Sequence, residues 1–322
     1  MPKPERVGAR VRVPAWRFWQ WGPGPVRVLV VGGANYDLTV RMTRLPTVGM
    51  TVLADDMVES VGGKASNQAV AASLWGADVA LVARVGQDGY GDAILRGLEA
   101  AGVDTTSVHR DGSGTGLGIV FMDSTGQYQT AVVSRANRNL SDADIGCLGS
   151  GWGGVGVVVL QLESPVEAVA AAAETARRRG ALVVLNASPS DRASEALLRN
   201  VDYLVVNEAE AAELSKLDVE TRSEAVAAAV RLTEFCTHVV VTLGSAGVVC
   251  ASRDGSSVDL AGKVVDAVDT LGAGDQFLGV LAAELAVGSD LRHALELANW
   301  AASQSVTKHG AQVSYVDRRS AD

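Results

Sequence analysis

In its last quarter the chain reads Val268-Asp269-Thr270-Leu271-Gly272-Ala273-Gly274-Asp275 and runs straight into the apolar, alanine-rich stretch Gln276–Ala283. Two glycines and an alanine suit a tight turn where a ligand can approach bare backbone. The following stretch predicts a helix, whose free N–H groups and positive dipole end make an anion site. An aspartate at that start is out of place if the ligand is simply an anion. It makes sense if Asp275 takes a proton from a hydroxyl while the Ala273 and Gly274 amides hold a transferring phosphoryl group. Aspartate is also a favoured N-cap, and short glycine motifs recur by chance. This stretch alone leaves capping and proton abstraction evenly matched.

Five more blocks break the tie. Gly32-Gly33-Ala34-Asn35-Tyr36-Asp37 follows the apolar run Val28–Val31, and Gly62-Gly63-Lys64-Ala65-Ser66-Asn67-Gln68-Ala69 opens a helix. Gln161-Leu162-Glu163-Ser164-Pro165 ends a strand, while Asn207-Glu208-Ala209-Glu210 and Thr242–Gly247 each follow another. In this order, over roughly Val28 to Ser314, they resemble the PfkB (ribokinase-like) carbohydrate kinase family, most closely its ribokinase branch.

The resemblance implies a role for each block. Asp275 is the base, with Ala273 and Gly274 as anion hole. Asn35, Asp37, Gly62, Gly63, Lys64, Asn67 and Glu163 line a sugar site with Asp275, supplying the directional hydrogen bonds a polyol needs. Thr242, Leu243, Gly244, Ser245, Ala246 and Gly247 contact ATP together with Asn207 and Gly274, and Asn299 lies at the adenine. Asn207 and Glu210 organise Mg2+, largely through water. A monovalent cation, K+, is held by Asp269, Leu271, Ser305, Lys308, Gly310 and Ser314, mostly through backbone carbonyls. Simpler readings stand beside these: a strand-end turn for Asn35 and Asp37, a solvated Lys64, and plain helix capping for Asn207 and Glu210. No Gly-x-x-x-x-Gly-Lys-Ser/Thr run exists, which excludes a P-loop, and Gly112–Gly116 lacks the strand-before, helix-after setting of a dinucleotide fingerprint.

The elements that must position these residues alternate along the chain. Strand-like runs at Val26–Val31, Val79–Val85, Val155–Leu162, Ala181–Leu185, Tyr203–Val206 and Val239–Leu243 are mostly continuous apolar runs, as in strands buried on both faces of a parallel sheet. Helical stretches at Asn67–Trp75, Pro165–Arg179, Glu208–Leu214, Ser223–Phe235 and Leu291–Lys308 lie between them. The pattern is α/β and doubly wound: a mostly parallel sheet flanked by helices, with ligands outside the carboxyl ends of the strands. Thr51–Ser60 and Gly116–Ser134 break the rhythm and read as strand-turn-strand. In the resembled family these positions form a small β lid over the sugar that often pairs with a second subunit, so a homodimer through the lid is expected. One domain is expected over 26–322.

Composition narrows the partners. The 322 residues are 48% hydrophobic, 20% charged and only 5% aromatic, with a formal net charge of −9. Such a chain packs a sizeable core, and without a basic stripe it argues against nucleic acid. Three scattered cysteines and four histidines without ligand spacing speak against a disulfide framework or a transition-metal centre. A reduced, cytoplasmic protein is expected, and no apolar run nears the ~20 residues that span a bilayer. Residues 1–25 mix arginines with Trp16, Phe18, Trp19 and Trp21. A disordered extension or an early start codon is expected there, with a membrane surface or anionic partner as the alternative.

The expected activity is ATP-dependent phosphorylation of D-ribose at its 5-hydroxyl. Sister activities on deoxyribose, a nucleoside or a hexose are the alternatives, as is a non-catalytic sugar-binding regulator, against which intact Asp275, Gly274, Asn207 and Glu210 argue. Four departures from the family pattern bear on this. Ala65 stands where a glycine is usual and is expected to carry strain if the site needs positive φ. Arg135 stands where glycine is common before Ala-Asn, Met50 replaces a usual glutamate, and Val313 replaces a usual proline. The chain also ends soon after Ser314, which puts the cation site in question.

Overall fold

The computed structural model describes residues 26–125 and 127–321; the expectations for 1–25 and for Gly126 of a predicted turn lie outside them. A nine-stranded sheet forms the body, in the order β13-β12-β11-β10-β9-β8-β1-β4-β5. Its parallel part consists of β1 (Arg27–Val31), β4 (Asp78–Gly86), β5 (Val108–Asp111), β8 (Val155–Gln161), β9 (Leu182–Asn186), β10 (Tyr203–Asn207) and β11 (His238–Thr242). β12 (Gly247–Ser252) and β13 (Ser257–Ala261) are added antiparallel, each to its predecessor.

The continuous apolar runs are split between two cores by the two-residue period of a strand. Val28, Val30, Val157, Val159, Val184, Val205 and Val240 face one side. Leu29, Val31, Val158, Leu160, Val183, Leu185, Leu204, Val206, Val239 and Val241 face the other. The first face packs α1 (Lys64–Leu74), α8 (Ala273–Ala286) and α9 (Leu291–Ser305). The second packs α4 (Val166–Arg178) and α7 (Arg222–Leu232), with α6 (Glu208–Ser215) beside them. The remaining helices are α2 (Gly89–Ala100) and the short α3 (Asp142–Gly146) and α5 (Glu195–Leu198). The doubly wound expectation therefore holds. No helix among the described residues is long and apolar enough to cross a membrane.

A second sheet of four strands has the order β3-β2-β6-β7. Here one expectation is corrected. Thr51–Ser60 is not a strand-turn-strand: it contributes only β3 (Asp56–Gly62), whose antiparallel partner is β2 (Asn35–Met42). β2 also pairs in parallel with β6 (Gly116–Asp123), which turns back into β7 (Tyr128–Val133). Asn35 and Asp37 thus sit on a lid-like strand instead of in a turn after β1, because their backbones are held in a ladder on both sides.

Candidate active site

Asn35 and Asp37 are two apart on β2 and so point to one face. Asn35 lies opposite Gly62 and Gly116, and Asp37 opposite Ser60 and Gly118. These glycines clear space for the carboxylate. A Cβ at Gly62 would stand 1.9 Å from Asp37 Oδ2, and one at Gly118 2.2 Å from Oδ1. The side-chain amide of Asn137 donates to Asn35 Oδ1 at 2.7 Å and to the Ala34 carbonyl at 3.2 Å, which fixes the orientation of Asn35. Burial, then the neighbouring charges of Glu163 and Asp275, push Asp37 up to about 6, although the Gly118 N–H donates to it.

Gly63 precedes α1 with φ 88°, and a Cβ there would lie 2.6 Å from the Asn35 nitrogen, so the position demands glycine. α1 then presents Lys64 and Asn67. Lys64 Nζ is 3.8 Å from Glu163 Oε1, which follows β8. Burial works against the ammonium, but the carboxylates of Asp275, Glu163 and Glu210 outweigh it and raise its pKa. Glu163 is raised too, since its burial and the charge of Asp275 outweigh the attraction of Lys64.

Asp275 settles the question of capping. The N-cap of α8 is Gly272, at φ 77°, and no side chain caps that end. Asp275 lies in the first turn, 9% exposed, with both carboxylate oxygens turned toward α1. Asn67 Nδ2 donates to Oδ2 at 2.9 Å and Gln68 Nε2 to Oδ1 at 2.8 Å. Burial raises its pKa against the opposing influence of Lys64 and these two donors. The Ala273 and Gly274 amides stand in the same first turn, where backbone N–H groups lack intrahelical acceptors. Gly272 is boxed in, since a Cβ would meet the Tyr315 hydroxyl at 2.6 Å; that hydroxyl donates to the Gly272 carbonyl at 3.1 Å.

The other expected residues gather on the neighbouring strand ends. Asn207 ends β10 in register with Thr242 at the end of β11. Leu243 is buried, Gly244–Ala246 form an exposed turn, and Gly247 begins β12 at φ 107°. Asn299 of α9 donates to the Ala261 carbonyl at 2.9 Å, and Gly262 in turn donates to Ala246, so Asn299 stands beside that turn. Asn207 and Glu210 make a full capping box for α6: Glu210 N donates to Asn207 Oδ1 and Asn207 N to Glu210 Oε2, each at 2.9 Å. Capping is therefore realised, while the charge of Glu210 still reaches Lys64.

Asp269 ties two loops together. Its Oδ1 accepts the Leu271 N–H and its Oδ2 the Gly310 N–H, both at 2.9 Å. Ser305 and Ser314 are buried, their hydroxyls donating to the carbonyls of Ala302 and Ala311, and Lys308 is exposed. Among the described residues no cluster of three or more His, Cys, Asp or Glu has metal-binding form.

The arrangement gathers polar side chains of β2, α1 and the β8 end around a buried carboxylate at a helix start. The pfkB family carbohydrate kinase profile matches residues 26–318. The chain belongs to this family. It is a carbohydrate kinase. The ribokinase of Haemophilus influenzae is 32% identical over 292 residues, 90% of this chain and 95% of its own. The deoxyribokinase of Salmonella typhimurium is 32% identical over 291 residues, 89% and 95% of the two chains. The solved structure of Arabidopsis thaliana ribokinase complexed with ribose and ATP has a TM-score of 0.84 at 30% identity, covering 92% of this chain and 97% of that one.

Within this pfkB kinase, two departures exchange meaning. Ala65 is fully buried inside α1 and has no positive φ, so the expected strain is not there. Arg135 does carry it, at φ 40°. Met50 and Val313 are exposed, at 47% and 80%. Sequence reasoning missed the amides around the site. Gln312 Nε2 donates to Asn67 Oδ1 at 2.9 Å and to Ser66 Oγ at 3.0 Å. Gln161 donates to Gln68 Oε1, and Gln161 Oε1 finds no protein partner. Gln68 and Gln161 lay inside motifs already singled out, but glutamine has no spacing signature that separates a buried amide from a surface one.

Proposed function

We propose that this carbohydrate kinase transfers the γ-phosphoryl group of ATP to the 5-hydroxyl of D-ribose. The observation that carries the reading is the Asp275 carboxylate, buried at the start of α8 and held by two side-chain amides instead of capping its own helix. Asn35 and Asp37 on the lid, with Lys64, Asn67 and Glu163 below, offer the mixed donors and acceptors that sugar hydroxyls require. Asp275 accepts the hydroxyl proton. Its raised pKa makes it a stronger base, and the neighbouring Lys64 charge opposes that rise. The Ala273 and Gly274 amides hold the phosphoryl group as charge develops on it. Thr242–Gly247 and Asn299 take the nucleotide.

The oxygen donors of Asn207 and Glu210 suit a hard cation such as magnesium, which when bound neutralises phosphate charge. Asp269 fits the expected monovalent site as a clamp: its carboxylate fixes the loops of Leu271 and Gly310, leaving backbone carbonyls as the ligands. A homodimer through the lid completes the proposal. The Salmonella deoxyribokinase, as similar as the Haemophilus ribokinase, supports 2-deoxyribose as the second reading.

Steady-state kinetics on D-ribose, 2-deoxyribose, hexoses and nucleosides with ATP and magnesium test this. Ribose is expected to give the highest kcat/KM, with turnover severalfold greater in potassium than in sodium at equal ionic strength. A deoxyribose preference would select the second reading, and no turnover on any sugar would overturn both. Asp275→Asn is expected to lower kcat by about 10²–10⁴ with a normal melting curve. A variant that melts normally and keeps more than a tenth of wild-type turnover would remove Asp275 as the base.

A further inference from the structure

We propose that Gln68 and Gln161 form an amide relay beneath the pocket that locks Asp275 Oδ1 and so leaves Oδ2 as the oxygen that takes the substrate proton. The inference rests on Asp275 acting as the base. Gln68 and Gln161 are each 1% exposed, so they act through Asp275 and are positioning residues.

The orientation of the relay follows from donors and acceptors. Asp275 Oδ1 is an acceptor, so Gln68 must turn its Nε2 toward it, as observed at 2.8 Å. The opposite orientation would set two acceptor oxygens against each other. Gln68 Oε1 is then left facing Gln161, whose Nε2 must donate, as it does. Gln161 Oε1 lies against Gly32, where a Cβ would stand 2.1 Å away, and has no protein partner. The amide of Gln161 is therefore oriented by Gln68 and not by its own second bond. Each step dictates the next, from the carboxylate back to the end of β8.

The two oxygens of Asp275 differ in what holds them. Asn67, on Oδ2, also reaches Gln312 and belongs to the set proposed for the sugar, so a sugar hydroxyl can take its place. Gln68, on Oδ1, has its second amide atom engaged underneath and stays. Close packing of α1 on α8 makes this reach possible: a Cβ at Gly279 would lie 2.5 Å from Ala71 Cβ and 2.7 Å from the Gln68 carbonyl. Other charged or titratable groups also face Asp275, namely Lys64, Glu163, Asp37 and the buried Tyr315. None of them replaces the bond to Oδ1, so its loss is expected to be read directly at Asp275.

The test is the pH profile of kcat for Gln68→Met, Gln161→Met and the double variant, with melting curves and Asp275→Asn alongside. Hydrogen bonds to a carboxylate favour its charged form. Removing one raises the pKa, and activity lost on acidification is then lost at higher pH. For Gln68→Met the acid limb is expected to move up by about one pH unit and kcat at its plateau to fall about tenfold, with a smaller change in sugar KM. Gln161→Met should shift the limb the same way by less, and the double variant should match Gln68→Met, because Gln161 works only through Gln68. An unmoved limb with a lowered melting temperature would mean packing alone and overturn the relay, as would additive effects in the double variant. Should Gln68→Met fail to fold, the limb of Gln161→Met decides alone. Loss of activity in Asp275→Asn with normal Gln variants sinks only the relay. Normal turnover in Asp275→Asn sinks the base, and the relay with it.

Discussion

Asp37 sits where burial and two neighbouring carboxylates work against its ionised form, which lifts it to about 6. The sign of the consequence is fixed by linkage. An acid with a folded pKa above its unfolded value near 4 holds more protons folded than unfolded between the two, so folded stability falls as pH rises through that window. Above about pH 6 the loss is complete, at about 2–3 kcal/mol for a rise of this size. Asp37→Asn removes the penalty while keeping the shape. Its melting temperature is expected to exceed wild type at pH 8 and to equal it at pH 4, read by calorimetry at both. Ribose binding should move the other way, because the charged acceptor is gone: titration at pH 8 should show affinity at least tenfold weaker. An Asn variant that gains no stability at pH 8 would mean that solvent or a counter-charge relieves Asp37 in the free enzyme.

Legibility differed by element. β1, β8, β10 and β11 could be read from sequence because burial on both faces leaves an unbroken apolar run, and the two cores confirm the cause. β2 could not. It begins Asn-Tyr-Asp, whose Asn and Asp favour turns, and only pairing with β3 and β6 makes it a strand. The motif residues of the site were legible because their types carry chemistry, whereas the Gln68 to Asp275 bond joins positions 207 residues apart and depends on how α1 packs on α8. The segment Arg135–Asn139 shows a third case. It delivers Asn137 to Asn35 and Ala34, and it enters that turn with Arg135 at φ 40°, where a Cβ is strained. Relieving about 1–2 kcal/mol of strain against the chain entropy of a glycine, Arg135→Gly is expected to raise unfolding free energy by about 0.5–1 kcal/mol. Arg135→Ala keeps the Cβ and should gain nothing. Urea melts of the two separate strain from the loss of the guanidinium, since equal shifts would assign the effect to the side chain's charge.

At the scale of all the described residues the molecule is a two-faced sheet carrying a thin second one, and the thin sheet has a face left over. Its register sets Asp37 in one cross-strand row with Ser60, Gly118 and Val132. The next row on the same face is Val58, Thr39, Val120 and Thr130. Asp37 is partly buried, but outward from it Val58 is 42% exposed and Val132 53%, so the face that carries Asp37 continues as an exposed surface of valines beside Ser60 and Thr130. β3 and β7 are the edges of this sheet, and an exposed edge beside exposed valines invites another copy of the chain. The proposed homodimer would cover this surface by two-fold pairing, the arrangement in which one patch serves both partners. Sugar affinity would then depend on assembly, because the partner would hold β2 and Asp37 over the site. Val58→Lys combined with Val132→Lys places charges on exposed positions that no core residue needs. The double variant is expected to be monomeric by light scattering where wild type is dimeric, to melt within a few degrees of wild type when both are dilute, and to show a sugar KM raised about tenfold, with ATP KM little changed. A wild type that is already monomeric at assay concentration, or a monomeric variant with unaltered sugar KM, would separate the lid from assembly and leave closure to the single chain.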